Sequence, residues 1–557
     1  MQVLRTVTPV AVAIALLAFT PPTLRADDSP RAKKPPVDTD KLLADAAKAE
    51  GEGKYDEALK HYLKAFTAGS TAPDVRDRIR FCFRHVSQAE RLADPVFQKF
   101  VAALPASDAL TLYAEVVEKV HKTYADRNKA TVELLFAAGL DELTAALSEP
   151  AFRKEHLKDV SDTRIAEFRT QQREAWQAKL PTSAAEAKQA ARAVISAANK
   201  SLGLKNGSAV VLELLCGACT GLDEFSTYLP PGGEPSPLNE LAGYGLVVRA
   251  DADGLVVQAV LPHSWAAVHT KIRKGDRIEK VNGKSVVGAG PAAVTEALRA
   301  VDPPGHLIEY TPADDAARTQ RLPVPAPTVY AADLLDMKEG VGYLRLSAFK
   351  DHTPREFDEA VLELKARGMK ALVIDVRGNP GGLIASAVDI AKRLLPTGPI
   401  ATTNAQVPDF ASRVFSSDSG MAAHDFPVVL LVDTKTMSAA EILAASLKDN
   451  QRATLVGLPT FGKGLIQAAI RLDKLDAGGE AGAKSGLLIL SVANAGGPLS
   501  GLIQNRGVTP HVSEPDADRQ LALAIEKAVE LLTGVRGDAM PPMPPGVTPP
   551  MPIMRRD

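Results

Sequence analysis

The carboxyl-terminal half of the chain alternates short apolar runs with amphipathic stretches. The predicted elements are strands at 341–346, 371–376, 428–432 and 453–456, and helices at 353–367, 384–395 and 438–448. Repeated strand–helix units of this kind are typical of a largely parallel sheet with helices on both faces. Sites in such sheets lie where a strand ends and a helix begins. We therefore expect an α/β domain over residues 326–535, with its chemistry at these strand ends.

Residues 242–323 change to short strands separated by turns. The predicted elements are a glycine loop at 243–246, a strand at 255–260, a helix starting near 262, a turn and strand at 273–281, a helix at 291–300 and a closing strand at 307–310. Asn282-Gly283 is a favoured dipeptide for a two-residue β-hairpin turn.

This order resembles a PDZ domain, which holds the C-terminal carboxylate of a peptide on the backbone N–H groups of a glycine loop. The resemblance implies a peptide-binding domain over residues 236–325. Its loop would consist of Gly243, Tyr244, Gly245 and Leu246. Ordinary turn glycines are the alternative.

Residues 40–200 have a helical pattern in which Ala, Leu, Lys and Glu dominate. Five positions fall at the spacing of the second half of a tetratricopeptide repeat: Gly53, Tyr55, Ala58, Tyr62 and Ala65. A generic helical hairpin is an equal alternative. Residues 201–235 are predicted to be a helical lead-in to the α/β domain. A protein partner bound by the helical region, and association into a homo-oligomer, stay open.

The first residues have the pattern of an export signal. Arg5 precedes an apolar run over residues 10–19, and cleavage is expected after Ala26. A run of about ten apolar residues is too short to span a bilayer as a helix, although an uncleaved anchor is the alternative. We expect an exported protein of the periplasm or cell envelope. Residues 27–39 and 536–557 are expected to be a disordered linker and a flexible tail, because polar residues and proline dominate the first and proline and methionine the second.

The composition is that of an ordinary globular protein, and 557 residues suffice for three or four domains. A net charge of −2 gives no support for binding to nucleic acid or to a membrane surface. Cys216 and Cys219 have metal-ligand or redox spacing, but the chain has only one further cysteine, Cys82, so a four-cysteine zinc site is excluded. Buried core thiols are the favoured interpretation, with a local disulfide as the alternative.

Ser438 is the first candidate for chemistry, because it lies at a predicted strand–helix junction. There the unpaired N–H groups and the helix dipole favour negative charge. Glu441, three residues on, completes a capping-box pattern, so a purely structural N-cap is the alternative.

Lys463 favours a catalytic role for Ser438 over a purely structural one. It lies between two glycines, 25 residues after Ser438, and Gln467 follows at a distance suited to hold its amine. Burial disfavours the ammonium form, and a neutral lysine can accept the proton of a serine. An exposed turn lysine is the alternative.

A serine nucleophile and a lysine base also need hydrogen-bond donors for an oxyanion, and the loop at 377–382 can supply them. Gly381 or Gly382 can place an N–H close to a substrate because no side chain intervenes, and the N–H of Ala439 is a natural second donor. Residues 457–463 also fit the first seven places of a phosphate-binding P-loop. The eighth place is Gly464, however, and a strand is predicted to follow, so nucleotide binding is not favoured. No cofactor or metal is expected.

Together these residues resemble the carboxyl-terminal processing, or tail-specific, serine proteases. The resemblance covers about residues 211–512 and rests on the segments 222–230, 342–346, 375–382, 438–442, 460–464 and 507–510, together with the PDZ-like region. It implies that Ser438 is the nucleophile, Lys463 the general base and Gln467 the residue that orients it. Asp449 matches an acidic position that supports the site structurally.

The sequence departs from the family pattern at two places. The family's second serine, two residues after the nucleophile, is Ala440 here, which affects only a helper hydrogen bond. Residues 493–497 lack the usual aromatic and basic side chains, so a different substrate preference is expected. The expected function is that of an exported serine endopeptidase, with protein or peptide substrates whose free C-termini are recognised by the PDZ domain. A non-catalytic adaptor built on a protease-like core is the alternative.

Overall fold

The structure is a computed structural model. It describes residues 37–534 apart from 71, 178, 232–243, 245, 252–253, 261–265, 267–269, 289–296, 298–304, 313–316, 324–328, 332–339, 407–411, 419–423 and 477–483. The predicted export signal, most of the predicted linker and the whole predicted tail lie outside the described residues.

The amino-terminal part is helical, as predicted. Its helices are α1 (Thr39–Gly51), α2 (Tyr55–Thr67), α3 (Val75–Ala93), α4 (Pro95–Ala103), α5 (Ala106–Thr123), α6 (Val132–Ala146), α7 (Pro150–His156), α8 (Asp162–Gln177), α9 (Ala184–Leu202) and α10 (Gly207–Thr220). Local signals explain several ends: Asp38 caps α1, Ser183 caps α9, and Gly203, at φ 67°, ends α9. Helix α10 is buried along almost its whole length and contacts α5, α6 and α9.

A mostly parallel sheet forms the centre of the α/β domain. Its order is β18 (Val512–Ser513), β14 (Ala453–Gly457), β13 (Val428–Val432), β10 (Ala371–Asp375), β9 (Val341–Leu346) and the antiparallel edge strand β8 (Val329–Ala331). Helices α11 (Thr353–Ala366), α12 (Ile384–Leu394) and α13 (Ala439–Asp449) cover one face, and α14 (Ala517–Thr533) covers the other. The predicted strands and helices of this domain are therefore confirmed, with ends that differ by about one residue.

A second sheet, entirely antiparallel, was not predicted. It contains β1 (Thr227–Leu229), β16 (Leu487–Gly497), β11 (Gly398–Asn404) and β12 (Arg413–Ser417), and β15 (Leu465–Arg471) and β17 (Gly501–Leu502) also pair with β16. Leu488 and Leu490 of β16 pack in one hydrophobic cluster with α10. The sheet joins segments more than 250 residues apart, so its pairing left no local pattern to recognise.

The PDZ-like region forms a third sheet. Its order is β2 (Leu246–Asp251), β3 (Gly254–Val260), β4 (Arg277–Val281), β6 (Gly305–Thr311) and β7 (Arg318–Pro323), with β5 (Lys284–Ser285) paired to β4. The predicted hairpin is confirmed, since Asn282 and Gly283 join β4 to β5 with φ of 51° and 76°. The helices predicted near 262 and at 291–300 lie almost wholly outside the described residues.

All three cysteines are buried free thiols, in accord with the core-thiol interpretation. Burial raises the pKa of Cys216 to about 12. In the described part of the chain, no single helix has the length and apolarity to cross a membrane. Helices α4 and α5 pass that test only as a pair, and they are bent by 113° where they meet.

Candidate active site

Ser438 lies in a strained turn between β13 and α13. Its φ of 55° and ψ of −119° fall in a region that residues other than glycine rarely adopt. It is partly exposed, whereas its neighbours Met437 and Ala439 are buried. The turn before it is held by Asp433, whose Oδ1 accepts the N–H of Lys435 at 3.0 Å. Strain of this kind at a strand–helix junction is a functional signal.

The glycine loop after β10 lies directly beside this turn, because β10 and β13 are adjacent parallel strands. Gly378 N–H donates to Asp433 Oδ1 at 2.9 Å, and Met437 N–H donates to the carbonyl of Asn379 at 2.9 Å. A Cβ added to Gly381 would lie 2.7 Å from Ser438 Cβ, so only glycine fits there. The structure thus brings the two predicted loops into contact.

The predicted oxyanion donors differ in their availability. Gly381 N–H donates to Asn379 Oδ1 at 2.8 Å and is therefore already engaged. Within the described residues, the N–H groups of Gly382 and Ala439 donate no hydrogen bond. Ala439 begins α13, where the amide has no acceptor inside the helix. These two amides are the open donors next to Ser438.

A buried ion cluster anchors the start of the glycine loop. Asp375, at the end of β10, accepts from Tyr343 Oη at 2.7 Å and pairs with Arg377 at 2.7 Å and Arg345 at 3.3 Å. Burial works to raise the pKa of Asp375, but the two arginines outweigh it and hold the pKa well below its usual range. Sequence reasoning gave Asp375 and Arg377 no role beyond the motif.

Lys463 lies in the link between β14 and β15, where the parallel sheet meets the antiparallel sheet. It is only 4% exposed. Its Nζ donates to Gln467 Oε1 at 3.0 Å and lies 4.3 Å from the centre of the Phe225 ring. Gln467 is held in turn by its own amide, which donates to the Phe225 carbonyl at 2.6 Å. The strand that follows also rules against a P-loop, which needs a helix there.

Burial lowers the pKa of Lys463 to about 8. The carboxylates of Asp223, Glu224 and Glu441 oppose this shift, yet desolvation dominates. At pH 7 the Lys463 amine is therefore neutral in about a tenth of the molecules, a far larger fraction than for an ordinary lysine. Phe225 and Gln467 leave the amine both dry and oriented.

Glu441 links the serine turn to the lysine segment. One oxygen of its buried carboxylate, Oε2, accepts the N–H of Ser438 at 2.9 Å and that of Lys463 at 2.7 Å. The other, Oε1, accepts from Gly462 N–H at 2.6 Å and Thr460 Oγ1 at 2.5 Å. The backbone nitrogens of Ser438 and Lys463 therefore lie within about 6 Å of each other, since both donate to the same atom. The sequence showed Glu441 only as half of a capping box.

The side chains of Ser438 and Lys463 are not hydrogen-bonded to each other. In the described part of the chain, Ser438 Oγ and Lys463 Nζ share no hydrogen bond, and the amine is directed to Gln467. Catalytic hydrogen bonds are often long or poorly aligned before substrate binds. The structure shows the two groups in neighbouring, jointly anchored segments.

Asp449 lies away from this cluster, at the far end of α13, about 16 Å along the helix from Ser438. Its Oδ2 accepts the N–H groups of Leu499 and Ser500 at 2.9 and 2.8 Å. It therefore holds the turn between β16 and β17.

The predicted peptide-binding loop is only partly visible. Gly243 and Gly245 lie outside the described residues. Tyr244 is buried, and its carbonyl accepts the N–H of Ala266 at 2.9 Å. Leu246 is buried at the start of β2, opposite Val260.

The chain is similar to known proteins in both its α/β and its PDZ-like regions. The family model for Peptidase family S41 matches residues 340–513, and that for the PDZ domain matches residues 235–303. A carboxyl-terminal-processing protease from Synechocystis sp. is 46% identical over 145 residues, which are 26% of this chain and 33% of that relative. A second, from Picosynechococcus sp., is 32% identical over 317 residues, 54% of this chain and 72% of that relative.

Two further similarities complete the comparison. The carboxy-terminal processing protease CtpB of Bacillus subtilis is 31% identical over 280 residues, 46% of this chain and 56% of that protein. Among solved structures, the photosystem II D1 C-terminal processing protease is 24% identical with a TM-score of 0.37, over 73% of this chain and 92% of that one. Because the Picosynechococcus protein is 32% identical and the alignment covers 72% of its length, this chain belongs to the carboxyl-terminal-processing proteases of peptidase family S41.

Proposed function

We propose that this protein is a serine endopeptidase that uses Ser438 as nucleophile and Lys463 as general base, and that selects substrates by their C-termini. The observation that carries the proposal is the joint anchoring of both residues on Glu441, with the lysine amine buried and its pKa lowered to about 8. A dry, partly neutral lysine beside a strained serine is the arrangement that a Ser–Lys nucleophile requires.

The reaction begins with proton transfer from Ser438 Oγ to neutral Lys463 as Oγ attacks the scissile carbonyl. Gln467 accepts a hydrogen bond from Nζ, which leaves the amine lone pair free for the serine. The protonated lysine then donates to the leaving amine, and an acyl-enzyme ester remains. Water attacks this ester with Lys463 again as base, which releases the new C-terminus and restores both residues.

The oxyanion formed in each step needs donors that are fixed in advance. The N–H groups of Gly382 and Ala439 fill this role in the proposal, because both are unengaged within the described residues. Gly381 has a different part: its N–H is bonded to Asn379, and its missing side chain leaves room for Ser438.

Recognition of the substrate tail is assigned to the PDZ domain. Among the described strands, β2 lies at the edge of its sheet, where an extended peptide can add as a further strand. The carboxylate of the peptide would sit at the loop of residues 243–246.

The test is cleavage of an unfolded protein with an apolar C-terminal tail, with products identified by mass spectrometry. We expect cleavage by the wild type and none by Ser438→Ala or Lys463→Ala. Matched controls come from helix α13: Ser446→Ala removes a buried hydroxyl, and Lys448→Ala removes an amine that bonds the Thr509 carbonyl at 2.7 Å. Both controls should cleave normally.

Replacing the apolar tail with a charged one should slow cleavage through KM if the PDZ domain reads the C-terminus. Equal cleavage by wild type and Ser438→Ala would refute the catalytic assignment. Tail-dependent binding by the wild type with no cleavage at all would favour the adaptor instead.

A further inference from the structure

The first helices of the chain pack against the segments that carry the candidate catalytic residues. Side chains of α1, α2 and α3 share one hydrophobic cluster with Phe225, Met437, Phe461 and Leu465. Met437 precedes the serine, Phe461 and Leu465 flank the lysine, and the Phe225 ring lies under its amine. This helical region lies outside the segment matched by the peptidase family.

Arg76 of α3 makes the most direct of these contacts. Its Nη2 donates a hydrogen bond to the carbonyl of Phe461, two residues before Lys463. Its guanidinium lies 4.7 Å from the centre of the Phe66 ring and 5.5 Å from that of Phe461. The two rings meet edge to face, with centres 5.8 Å apart. Arg76 is thus held by α2 on one side and bonds the lysine segment on the other.

Phe461 is fixed from the opposite side by the serine turn. Its N–H donates to the carbonyl of Thr436 at 3.0 Å, two residues before Ser438. The peptide units around Phe461 therefore lie between Arg76 and the turn that precedes the serine. A backbone held from two sides has little freedom to move the lysine that follows it.

We propose that Arg76 is a positioning residue for the Ser–Lys reaction, which fixes the segment 461–463 from the amino-terminal helices and keeps water away from the Lys463 amine. This inference rests on the proposed function. It gives the helical region a part in catalysis through contact with Phe461, without contact with substrate.

The proposal predicts a change in the pH dependence of the reaction. The groups that face Lys463 are the carboxylates of Asp223, Glu224 and Glu441, which favour the charged amine, whereas burial opposes it. If the loss of Arg76 loosens the segment and admits water, the desolvation weakens while the carboxylates remain. The pKa of Lys463 then rises, and activity needs a higher pH.

The experiment uses the full-length chain and the tailed substrate described above. Arg76→Ala should lower kcat by at least about tenfold with KM nearly unchanged, since a displacement of about 1 Å can cost a hundredfold. The midpoint of the rise of kcat/KM with pH should move upward. Arg76→Lys keeps a charge and a donor, and it should recover most of kcat and the original midpoint.

Arg78 offers a matched control on the same helix. It pairs with Glu50 and lies 5.4 Å from the Phe81 ring, so its contacts stay within the helical region. Arg78→Ala should keep the kcat and pH midpoint of the wild type. If Arg76→Ala does not fold, Phe66→Leu decides, because it removes the ring beside Arg76 without deleting a hydrogen bond, and kcat should again fall.

Three results would overturn the proposal: a wild-type kcat and pH midpoint in Arg76→Ala, an equal loss in Arg78→Ala, or, where Phe66→Leu decides, an unchanged kcat in that variant. Cleavage by the wild type that Ser438→Ala retains would instead mean that the proposed function itself has failed.

Discussion

Replacing Lys463 with methionine should abolish cleavage and also change how the stability of the protein depends on pH. The methionine side chain is similar in length and apolar character to the aliphatic part of lysine, but it carries no charge. Burial lowers the pKa of Lys463 from 10.5 to about 8 in the folded protein, whereas an unfolded chain leaves it near 10.5. Between these values the unfolded chain binds more protons than the folded protein, so the wild type becomes more stable as pH rises.

The size of the effect follows from the shift. At about 1.4 kcal/mol for each pH unit, Lys463 lowers the free energy of unfolding by about 3 kcal/mol below pH 8, and this cost disappears above pH 10.5. Between pH 7 and pH 10 the wild type should therefore regain about 2–3 kcal/mol that Lys463→Met never loses. The variant also loses the hydrogen bond to Gln467, worth about 1 kcal/mol, so the informative quantity is the change with pH.

The measurement is urea unfolding followed by circular dichroism at pH 7 and pH 10. Other titrating groups are common to both proteins and cancel in the comparison. Lys448→Met is the control, since it removes a lysine of the same region whose amine bonds a carbonyl near the surface. It should follow the wild type. Parallel changes in the wild type and Lys463→Met between the two pH values would show that the Lys463 amine is not desolvated, and the argument for its role as base would fail.

Three further predictions follow from the site. The kcat/KM of the wild type should rise with pH around a midpoint near 8. The reason is that the neutral fraction of Lys463 grows from about 9% at pH 7 to about 91% at pH 9. A midpoint below pH 7 would contradict this prediction. Glu441→Gln should lower the free energy of unfolding by at least about 1–3 kcal/mol, because at least one backbone N–H loses its acceptor whichever carboxylate oxygen becomes the NH₂ group. Glu526→Gln, on the exposed side of α14, should cost under about 0.5 kcal/mol in the same urea titration, and equal costs would count against the bridging role. Gly381→Ala should reduce cleavage about a hundredfold or more, because the added Cβ would lie 2.7 Å from the Cβ of Ser438. The control Gly203→Ala, with φ of 67° and no atom within 4 Å of the added Cβ, should cost about 1–2 kcal/mol of stability and leave cleavage intact. Equal losses of activity in the two variants would contradict the steric argument.

The parts of the site that lie at the carboxyl ends of parallel strands could be predicted from the local sequence pattern. Strands β10 and β13 are short, wholly buried and each followed by a helix, so their periodicity and order are visible in the sequence. Because parallel neighbours place their carboxyl ends at the same edge, the contact between Gly381 and Ser438 follows from topology alone.

The rest of the site depends on contacts between distant segments. Phe225, which lies under the Lys463 amine, precedes it by more than 200 residues, and Arg76 precedes Phe461 by 385. Neither contact produces a repeat of two or 3.6 residues in the sequence. The antiparallel sheet that carries Gln467 is likewise assembled from segments that are far apart in the chain. A single sequence holds no signal for such pairs beyond a motif already known.

Glu441 shows why the departures from local rules gather at one place. A non-glycine residue at positive φ costs about 1–3 kcal/mol, and burial of a carboxylate costs more unless its oxygens are satisfied. Here the carboxylate is satisfied by amides of the two segments that carry Ser438 and Lys463, so the strained turn and the buried acid are each maintained by the other. Two independently anchored loops could place a serine near a lysine without a shared acid. The shared acid therefore implies that the relative position of the two backbones, more than the identity of either residue alone, is what this part of the fold is built to hold.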